Sequence, residues 1–374
     1  MMKKFYEALP ALVFTVFLAV MALLLFLLPH KTYSENEKRN LAGFPEVTAQ
    51  SVMEGEFQED LETFTADQIP GRDFFVGVNA YWTLLTGRNA AQDIYYCADD
   101  YLINAPKPYN EQIFTDNLTR FDQFAAKAGV TADIIMVPST GYIMEDVLPA
   151  NHGEYHDDLL YEKAGQLLQH TNLIDVRDTL KEGAETGQVC YRTDHHLTSY
   201  GNYLLYKDFQ IAHGKPYNSR DAYQVTTYDG FYGTTWSGSG YWFTPADAVE
   251  LWDSGVQVQV TLRDGQERVQ SDSLFFPDHL ENMDKYPVFL DGNHSIAAIS
   301  NPQAEGGALL VIRDSYAHCF STFLADGYQT VYLVDLRYYR VSLSQFMETH
   351  RVDRILYLYG VDNLMTDTNS AWLN

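Results

Sequence analysis

Residues 306–316 read Gly306-Gly307-Ala308-Leu309-Leu310-Val311-Ile312-Arg313-Asp314-Ser315-Tyr316. The run from Ala308 to Ile312 is apolar without a break and stops at Arg313-Asp314-Ser315. An unbroken apolar run of this length is what a strand buried on both faces requires. A short helical pattern follows, to about Leu324. Ligand sites of open α/β sheets lie at the carboxyl ends of such strands. A serine at this turn therefore carries an exposed hydroxyl beside the amino end of a helix. The amides of Ser315 and Tyr316 are then candidate donors to a developing oxyanion, helped by the helix dipole. Asp or Ser is also a common helix N-cap, so the turn alone does not define a role.

Working outward, Ala132–Val137, Asn172–Val176, Thr330–Val334 and Arg354–Tyr359 are further apolar runs of strand length. Helical patterns cover Asn110–Ala128, Asp157–Gln169 and Thr198–Ala212. Apolar strands separated by helices predict an α/β fold with a mostly parallel sheet covered on both faces. Residues 214–300 break the rhythm with Gly, Asp and Thr and short alternating runs such as Gln257–Leu262. They read as a β-rich insertion. Upstream, Met53 to about Leu85 is helical in pattern, interrupted at Ile69-Pro70-Gly71, and short strands are expected at Ile94–Tyr96 and Tyr101–Ile103.

A second polar motif is Thr193-Asp194-His195-His196-Leu197-Thr198. A serine hydroxyl is a poor nucleophile until a base takes its proton, and the base needs an acceptor that fixes its tautomer. On an extended segment Asp194 and His196 project to one face and His195 points away. Thr198 or Ser199 would cap the helix that follows. With Ser315 they supply nucleophile, base and orienting carboxylate in the chain order Asp, His, Ser, and such triads are recognised by geometry rather than order. A solvent-exposed loop is the plain alternative. A metal site would need further ligands, and no H-x-x-x-H or C-x-x-C pattern accompanies the motif. No metal or cofactor is expected.

Leu9 to Leu28 is almost wholly apolar. At 1.5 Å per residue, about 20 residues span the roughly 30 Å hydrocarbon core of a bilayer. Lys3 and Lys4 precede it, so the positive-inside rule puts the N-terminus in the cytoplasm and the rest outside. The run is long and lacks a small-x-small cleavage site, which favours an uncleaved anchor over a signal peptide. The expected division is residues 1–30 as anchor, 31–52 as linker and 53–374 as outer domain, with the insertion at about 214–300.

The 374 residues are 46% hydrophobic and 20% charged, a globular composition, and the formal net charge of -25 argues against a nucleic-acid partner. Cys97, Cys190 and Cys319 are too few for a disulfide framework and read as small buried hydrophobes. The 27 tyrosines suit flat contacts with sugars and an ordinary core alike.

These motifs resemble the DHHW family of bacterial exported proteins, whose naming motif stands here as Asp194-His195-His196-Leu197. The similarity also runs through Ser34-Glu35-Asn36-Glu37-Lys38-Arg39, Asp67-Gln68-Ile69-Pro70-Gly71-Arg72-Asp73, Phe231-Tyr232-Gly233-Thr234 and Asp284-Lys285-Tyr286. It continues in Arg313-Asp314-Ser315-Tyr316-Ala317 and Asp335-Leu336-Arg337-Tyr338-Tyr339. That family in turn resembles the SGNH-hydrolase-like domain of alginate O-acetyltransferase proteins, which have a flavodoxin-like sheet. The resemblance implies a D-x-H acid and base at Asp194 and His196 and a nucleophile at Ser315. It implies acyl transfer, most often acetyl, to or from a cell-surface polysaccharide hydroxyl, with a separate multi-pass partner delivering the acyl donor. It also draws attention to Asn293 as an oxyanion donor and to Arg337 and Tyr338 as contacts to an acyl or sugar group. The sequence departs from the family at Leu197, where a Trp is usual, and at Arg313, where a Lys is more usual.

Two functions are thus expected of this chain. One is a membrane-anchored serine esterase or O-acyltransferase. The other is a non-catalytic polysaccharide-binding or envelope-assembly protein on the same fold.

Overall fold

The computed structural model describes residues 2–373, without the side chains of residues 2–5 and 7. Lys3 and Lys4, on which the cytoplasmic N-terminus rests, have side chains outside the described residues. The chain divides into two compact units. One runs to Ala91 and takes in Ser237–Trp242, and the other comprises Gln92–Trp236 and the chain from Phe243 onward.

In the first unit the helix Met2–Leu27 contains the stretch Ala8–Leu27, which is long and apolar enough to cross a membrane. Its Leu12, Phe14, Leu18 and Leu23 side chains are exposed. Three shorter helices follow, Ala49–Glu54, Glu56–Gln68 and Arg72–Leu85. Gly55 (φ 85°) and Gly71 (φ 73°) make the joins between them in left-handed backbone that a Cβ disfavours. Residues 33–40 pair as a small hairpin. Arg39 and Ala42, in the segment read as linker, donate to Asp67 of the helix Glu56–Gln68, Ala42 through its amide at 2.9 Å.

The second unit is built on an eight-stranded mixed sheet. In chain order its strands are β1 (Thr131–Val137), β2 (Thr171–Ile174), β3 (Gln259–Asp264), β4 (Glu267–Ser271), β5 (Ile296–Ser300), β6 (Gly306–Arg313), β7 (Tyr328–Asp335) and β8 (Arg354–Gly360). Their spatial order is β4-β3-β5-β7-β6-β8-β1-β2. The block β7-β6-β8-β1-β2 is parallel, and β5, β3 and β4 add to one edge antiparallel. The centres of β1, β6 and β8 are buried throughout, which is why they read as continuous apolar runs. Ile134, Met136, Leu310, Ile312, Ile355 and Tyr357 share one core with Phe114, Leu118 and Phe121 of the helix Glu111–Ala128. The helices Ser199–Ala212 and Ala317–Leu324 pack on each other, the first also touching β2 and the second β7.

Two expectations are refined. The sheet is mixed rather than nearly all parallel. Residues 214–300 are not simply an insertion beside it, because β3, β4 and β5 continue the sheet itself. Antiparallel neighbours need no helical crossover, and β3 and β5 carry the alternation of a half-buried surface while β4 is largely exposed. A separate hairpin, Gln224–Phe231 with Asp247–Asp253, accounts for the rest of the β structure there. A helix at Arg177–Thr186 escaped the sequence reading. Its Lys, Glu and Thr residues bury only Leu180 and Gly183, leaving little apolar period to detect. Cys97, Cys190 and Cys319 are all buried and unbonded.

The strand β6 lies at the point where the chain direction across the sheet reverses. From β6 the chain passes to β7 on one side, then to β8 on the other. Such a switch point leaves a crevice at the carboxyl ends of the strands, and the residue just past that end is Ser315.

Candidate functional site

Residues 189–198 form a tight loop closed on itself. Tyr191 donates its amide to the His196 carbonyl at 3.2 Å, and Thr198 donates to Val189 at 2.9 Å. Thr198 then caps the helix Ser199–Ala212, its hydroxyl accepting from the Gly201 amide at 3.2 Å. Gly201 is needed here, since a Cβ would stand 2.4 Å from the Val189 carbonyl oxygen. Thr193 is tied to Asp247 through both its amide (2.8 Å) and its hydroxyl (2.7 Å).

This loop brings Asp194 and His196 to Ser315 across 119 residues of chain. The His196 Nδ1 donates to Asp194 Oδ1 at 2.5 Å, and its Nε2 lies 2.8 Å from Ser315 Oγ. With the proton fixed on Nδ1 by the carboxylate, the Nε2 lone pair is free to accept from the serine hydroxyl. Asp194 and His196 are buried and Ser315 is half-buried.

The Asp194 carboxylate is saturated. Oδ1 also accepts from the His196 amide at 3.0 Å, and Oδ2 accepts from the Thr234 amide (2.7 Å) and hydroxyl (2.9 Å). Burial pushes this carboxyl up, but the neighbouring imidazoles of His196 and His195 and the donated hydrogen bonds outweigh it and hold it well below the usual carboxylate range. Gly233 makes the approach possible, since a Cβ there would stand 2.1 Å from the Asp194 Cβ.

His195 does not point away. Its ring lies beside that of His196, centroids 3.9 Å apart, and its Nδ1 donates to the Thr234 hydroxyl at 2.6 Å. The loop is a tight turn rather than a strand, so the alternation that would separate the two histidines does not apply. Asp194, His195 and His196 offer ligand atoms within 4.8 Å of one another. The carboxylate's lone pairs are already engaged by four donors, however, and both His196 nitrogens have partners. These hydrogen bonds leave the group poorly fitted to a metal.

The turn at Ser315 is held by Asp314. Its Oδ1 accepts from the Tyr316 amide at 2.9 Å, and its Oδ2 accepts from the Gly360 amide (2.8 Å) and Asn363 Nδ2 (2.7 Å). The expectation that the Tyr316 amide faces an oxyanion is therefore overturned. The Asp314 side chain folds back over that amide before the helix Ala317–Leu324 begins. The Tyr316 hydroxyl donates to the His195 carbonyl at 2.8 Å, and its ring is set edge-on to His196. A Cβ on Gly360 would stand 2.6 Å from that ring.

No hydrogen bond joins Asn293, Arg337 or Tyr338 to Ser315 or His196. Arg337 is clamped on Asp335, Nε to Oδ1 at 2.9 Å and Nη2 to Oδ2 at 2.6 Å, and also donates to Asn293 Oδ1 at 3.2 Å. Asp335 is shared with the buried Arg313 (3.1 Å), whose Nη1 also donates to His318 Nε2 at 2.6 Å. Burial and that guanidinium push His318 well below the usual imidazole range, so it is neutral and accepts. Tyr338 is exposed and lines a groove beside β3 and β5. Leu197 is buried in the core, so this position does not open onto a cleft.

Tyr286 is a contact that sequence reasoning did not assign. Its ring stacks on the His196 imidazole, and its hydroxyl donates to the Ser315 carbonyl at 3.3 Å. It and Thr234 lie in the segments Asp284-Lys285-Tyr286 and Phe231-Tyr232-Gly233-Thr234, whose presence was visible but whose roles depend on contacts across the fold.

The family model described as DHHW protein matches residues 176–334 of the chain. A crystal structure of a DHHW family protein from Eubacterium siraeum is similar, with TM-score 0.63 and 18% identity, covering 74% of this chain and 94% of that one. Bacillus cereus PatB1 is similar at TM-score 0.62 and 18% identity, covering 72% of this chain and 97% of its own. PatB1 with a sulfonyl adduct matches at TM-score 0.63 and 18% identity, over 74% and 98%. No curated protein matches the chain.

Proposed function

We propose that this chain is a serine-dependent O-acyltransferase or esterase, acetyl being the group, that acts on a cell-surface polysaccharide. The observation that carries the reading is the hydrogen-bonded series from Asp194 to His196 (2.5 Å) to Ser315 (2.8 Å). The family resemblance in the sequence implies the same chemistry.

In the proposed mechanism Ser315 Oγ attacks the acyl carbonyl as His196 Nε2 takes its proton. Asp194 holds the imidazole in the accepting tautomer and stabilises its charged form. The tetrahedral oxyanion needs donors other than the Tyr316 amide. The Ser315 amide and the Nδ2 of Asn293, whose Oδ1 accepts from Arg337 and Arg313, are the proposed pair. His196 returns the proton to the leaving oxygen, and an acyl-Ser315 results. A sugar hydroxyl or water then gives its proton to His196 and takes the acyl group, and His196 passes that proton to the departing Ser315 Oγ. Residues 1–30 anchor the protein in the cell membrane by a single crossing, with 31–52 as linker and 53–374 outside. A transferase so placed takes its acyl donor from outside the membrane, from a multi-pass partner.

The test uses the full chain in neutral detergent, with a chromogenic acetyl ester and an aryl sulfonyl fluoride. Wild type is expected to turn over the ester and to carry the label on Ser315 by mass spectrometry. Ser315→Ala is expected to lose both, with activity down by about 10⁴-fold or more. Wild type that neither turns over nor labels would overturn the proposal. Glycan binding that persists in that case would favour the non-catalytic reading.

A further inference from the structure

The antiparallel edge of the sheet carries an unexplained charge arrangement. Arg263 of β3 and Arg268 of β4 stand directly opposite each other in the register. Residues so paired share one face, and like charges there are destabilising. Among the described residues neither guanidinium has an ion-pair or hydrogen-bond partner. Charged residues commonly blunt an exposed edge strand, which accounts for Arg268 on the outermost strand. It does not account for Arg263, because β3 is paired on both sides.

The same face continues inward. Ile296 of β5 lies opposite Arg263, and Tyr332 of β7 lies opposite Ala298, which lies opposite Thr261. These residues line a groove of about 560 Å³. Its walls add Arg340, Tyr338 and Phe346, and no Asp or Glu lines it. In a chain with 50 acidic and 25 basic residues, a groove with three arginines and no carboxylate is a strong local inversion of charge. The aromatic side is already ordered. Phe346 stacks on His350 at 4.1 Å and 8°, and Tyr332 meets Phe346 edge-on at 5.1 Å. Arg340 is held at the rim by Asn369 (2.9 Å) and by the Trp372 ring rather than by a carboxylate.

We propose that this groove binds a stretch of anionic glycan, a polymer whose sugars or linkages carry carboxylate or phosphodiester groups. The guanidinium fork matches either anion bidentately, and aromatic rings with a hydroxyl edge suit the apolar faces and hydroxyls of sugars. Tyr338 sits just past the carboxyl end of β7, and the neighbouring strand β6 ends just before Ser315. This inference deepens the proposed function by naming the charge of the polymer, and it rests on that reading only for the link to Ser315.

The test measures binding rather than turnover, so failure of the serine chemistry and failure of this groove are separable. Full-length Ser315→Ala protein in neutral detergent is titrated with polygalacturonate, poly(glycerol phosphate) and dextran by calorimetry. At least one polyanion is expected to bind, dextran is not, and affinity falls as salt is raised. Which polyanion binds separates carboxylate from phosphodiester recognition. Arg263→Gln with Arg268→Gln is expected to weaken binding by about 10-fold or more, the removal of two charge-assisted contacts, with an unchanged melting curve. Arg340→Gln serves as a second, independent variant. Dextran bound as well as the polyanions, no polyanion bound, or affinity unchanged in both the double variant and Arg340→Gln would each overturn the proposal.

Discussion

The phenol ring of Tyr286 lies against the His196 imidazole, centroids 3.9 Å apart and planes 11° from parallel, while its hydroxyl reaches the Ser315 carbonyl. One side chain thus restrains both the proposed base and the backbone of the proposed nucleophile. An aromatic pair of this kind contributes about 0.5–1.5 kcal/mol beyond its burial. Tyr286→Leu is expected to lower kcat by about 10-fold with little change in KM, whereas Tyr286→Phe keeps the stack and most of the rate. Equal kcat values for Leu and wild type would show that the stack does not position the imidazole.

Asp194→Asn preserves the shape of the group but alters its hydrogen bonding. An amide cannot stabilise the imidazolium and favours the wrong tautomer, so kcat is expected to fall by about 10³–10⁴-fold in an otherwise folded protein. The pH dependence has a definite sign. The Asp194 carboxyl is held below its unfolded value, so its contribution to stability is present above about pH 3.9 and is lost as pH falls through the folded value. Denaturant titrations of wild type should steepen in their loss of stability below about pH 4, and those of Asp194→Asn should not share that component.

Gly233→Ala tests the close approach behind the carboxylate. The new methyl would stand 2.1 Å from Asp194 Cβ and 2.4 Å from its Oδ2, so one of them must move. Overpacking of this kind costs about 1–3 kcal/mol. Both the melting temperature and ester turnover are expected to fall, turnover by about 100-fold, because a small displacement of the base is costly in rate. Wild-type turnover in the variant would mean that the loop absorbs the methyl without moving Asp194.

Asp157 lies away from the proposed chemistry and offers a stability test. It is buried, its Oδ1 accepts from the Ser139 amide at 2.7 Å, and burial pushes its carboxyl up to about 7. A raised folded value means that its contribution to stability is present below about pH 3.9 and is lost as pH rises through about 7. Asn keeps an acceptor for the Ser139 amide and cannot ionise. Asp157→Asn is therefore expected to flatten the fall in melting temperature between pH 5 and 8 and to melt higher than wild type at pH 8. Parallel curves for the two proteins would show that Asp157 does not titrate in that window.

Much of the fold was legible because its central strands are buried on both faces. Ala308–Ile312 and Arg354–Tyr359 are apolar runs whose type is decided locally, and they fall within β6 and β8. Asn110 and Gly129 delimit a helix whose cap and left-handed end are equally local. The antiparallel strands β3, β4 and β5 were harder. A half-buried antiparallel strand carries the same alternation whether it joins the main sheet or stands apart, and only pairing decides. His195 was misplaced for a related reason, since backbone direction in a tight loop follows from contacts such as Tyr191 to His196 rather than from residue spacing.

From composition and order alone, the chain already specified an apolar span long enough for a bilayer, alternating strands and helices, and a serine at a strand's end with an aspartate two residues before a histidine. These are short-range properties, set by side-chain volume, polarity and backbone preference over a few residues. Only folding set the 2.8 Å separation of His196 from Ser315 and stacked Tyr286 on the base. It also lined three arginines along a groove in an acidic protein. Those relationships join segments far apart in the chain, and sheet order and loop closure decide them jointly, so no local pattern encodes them.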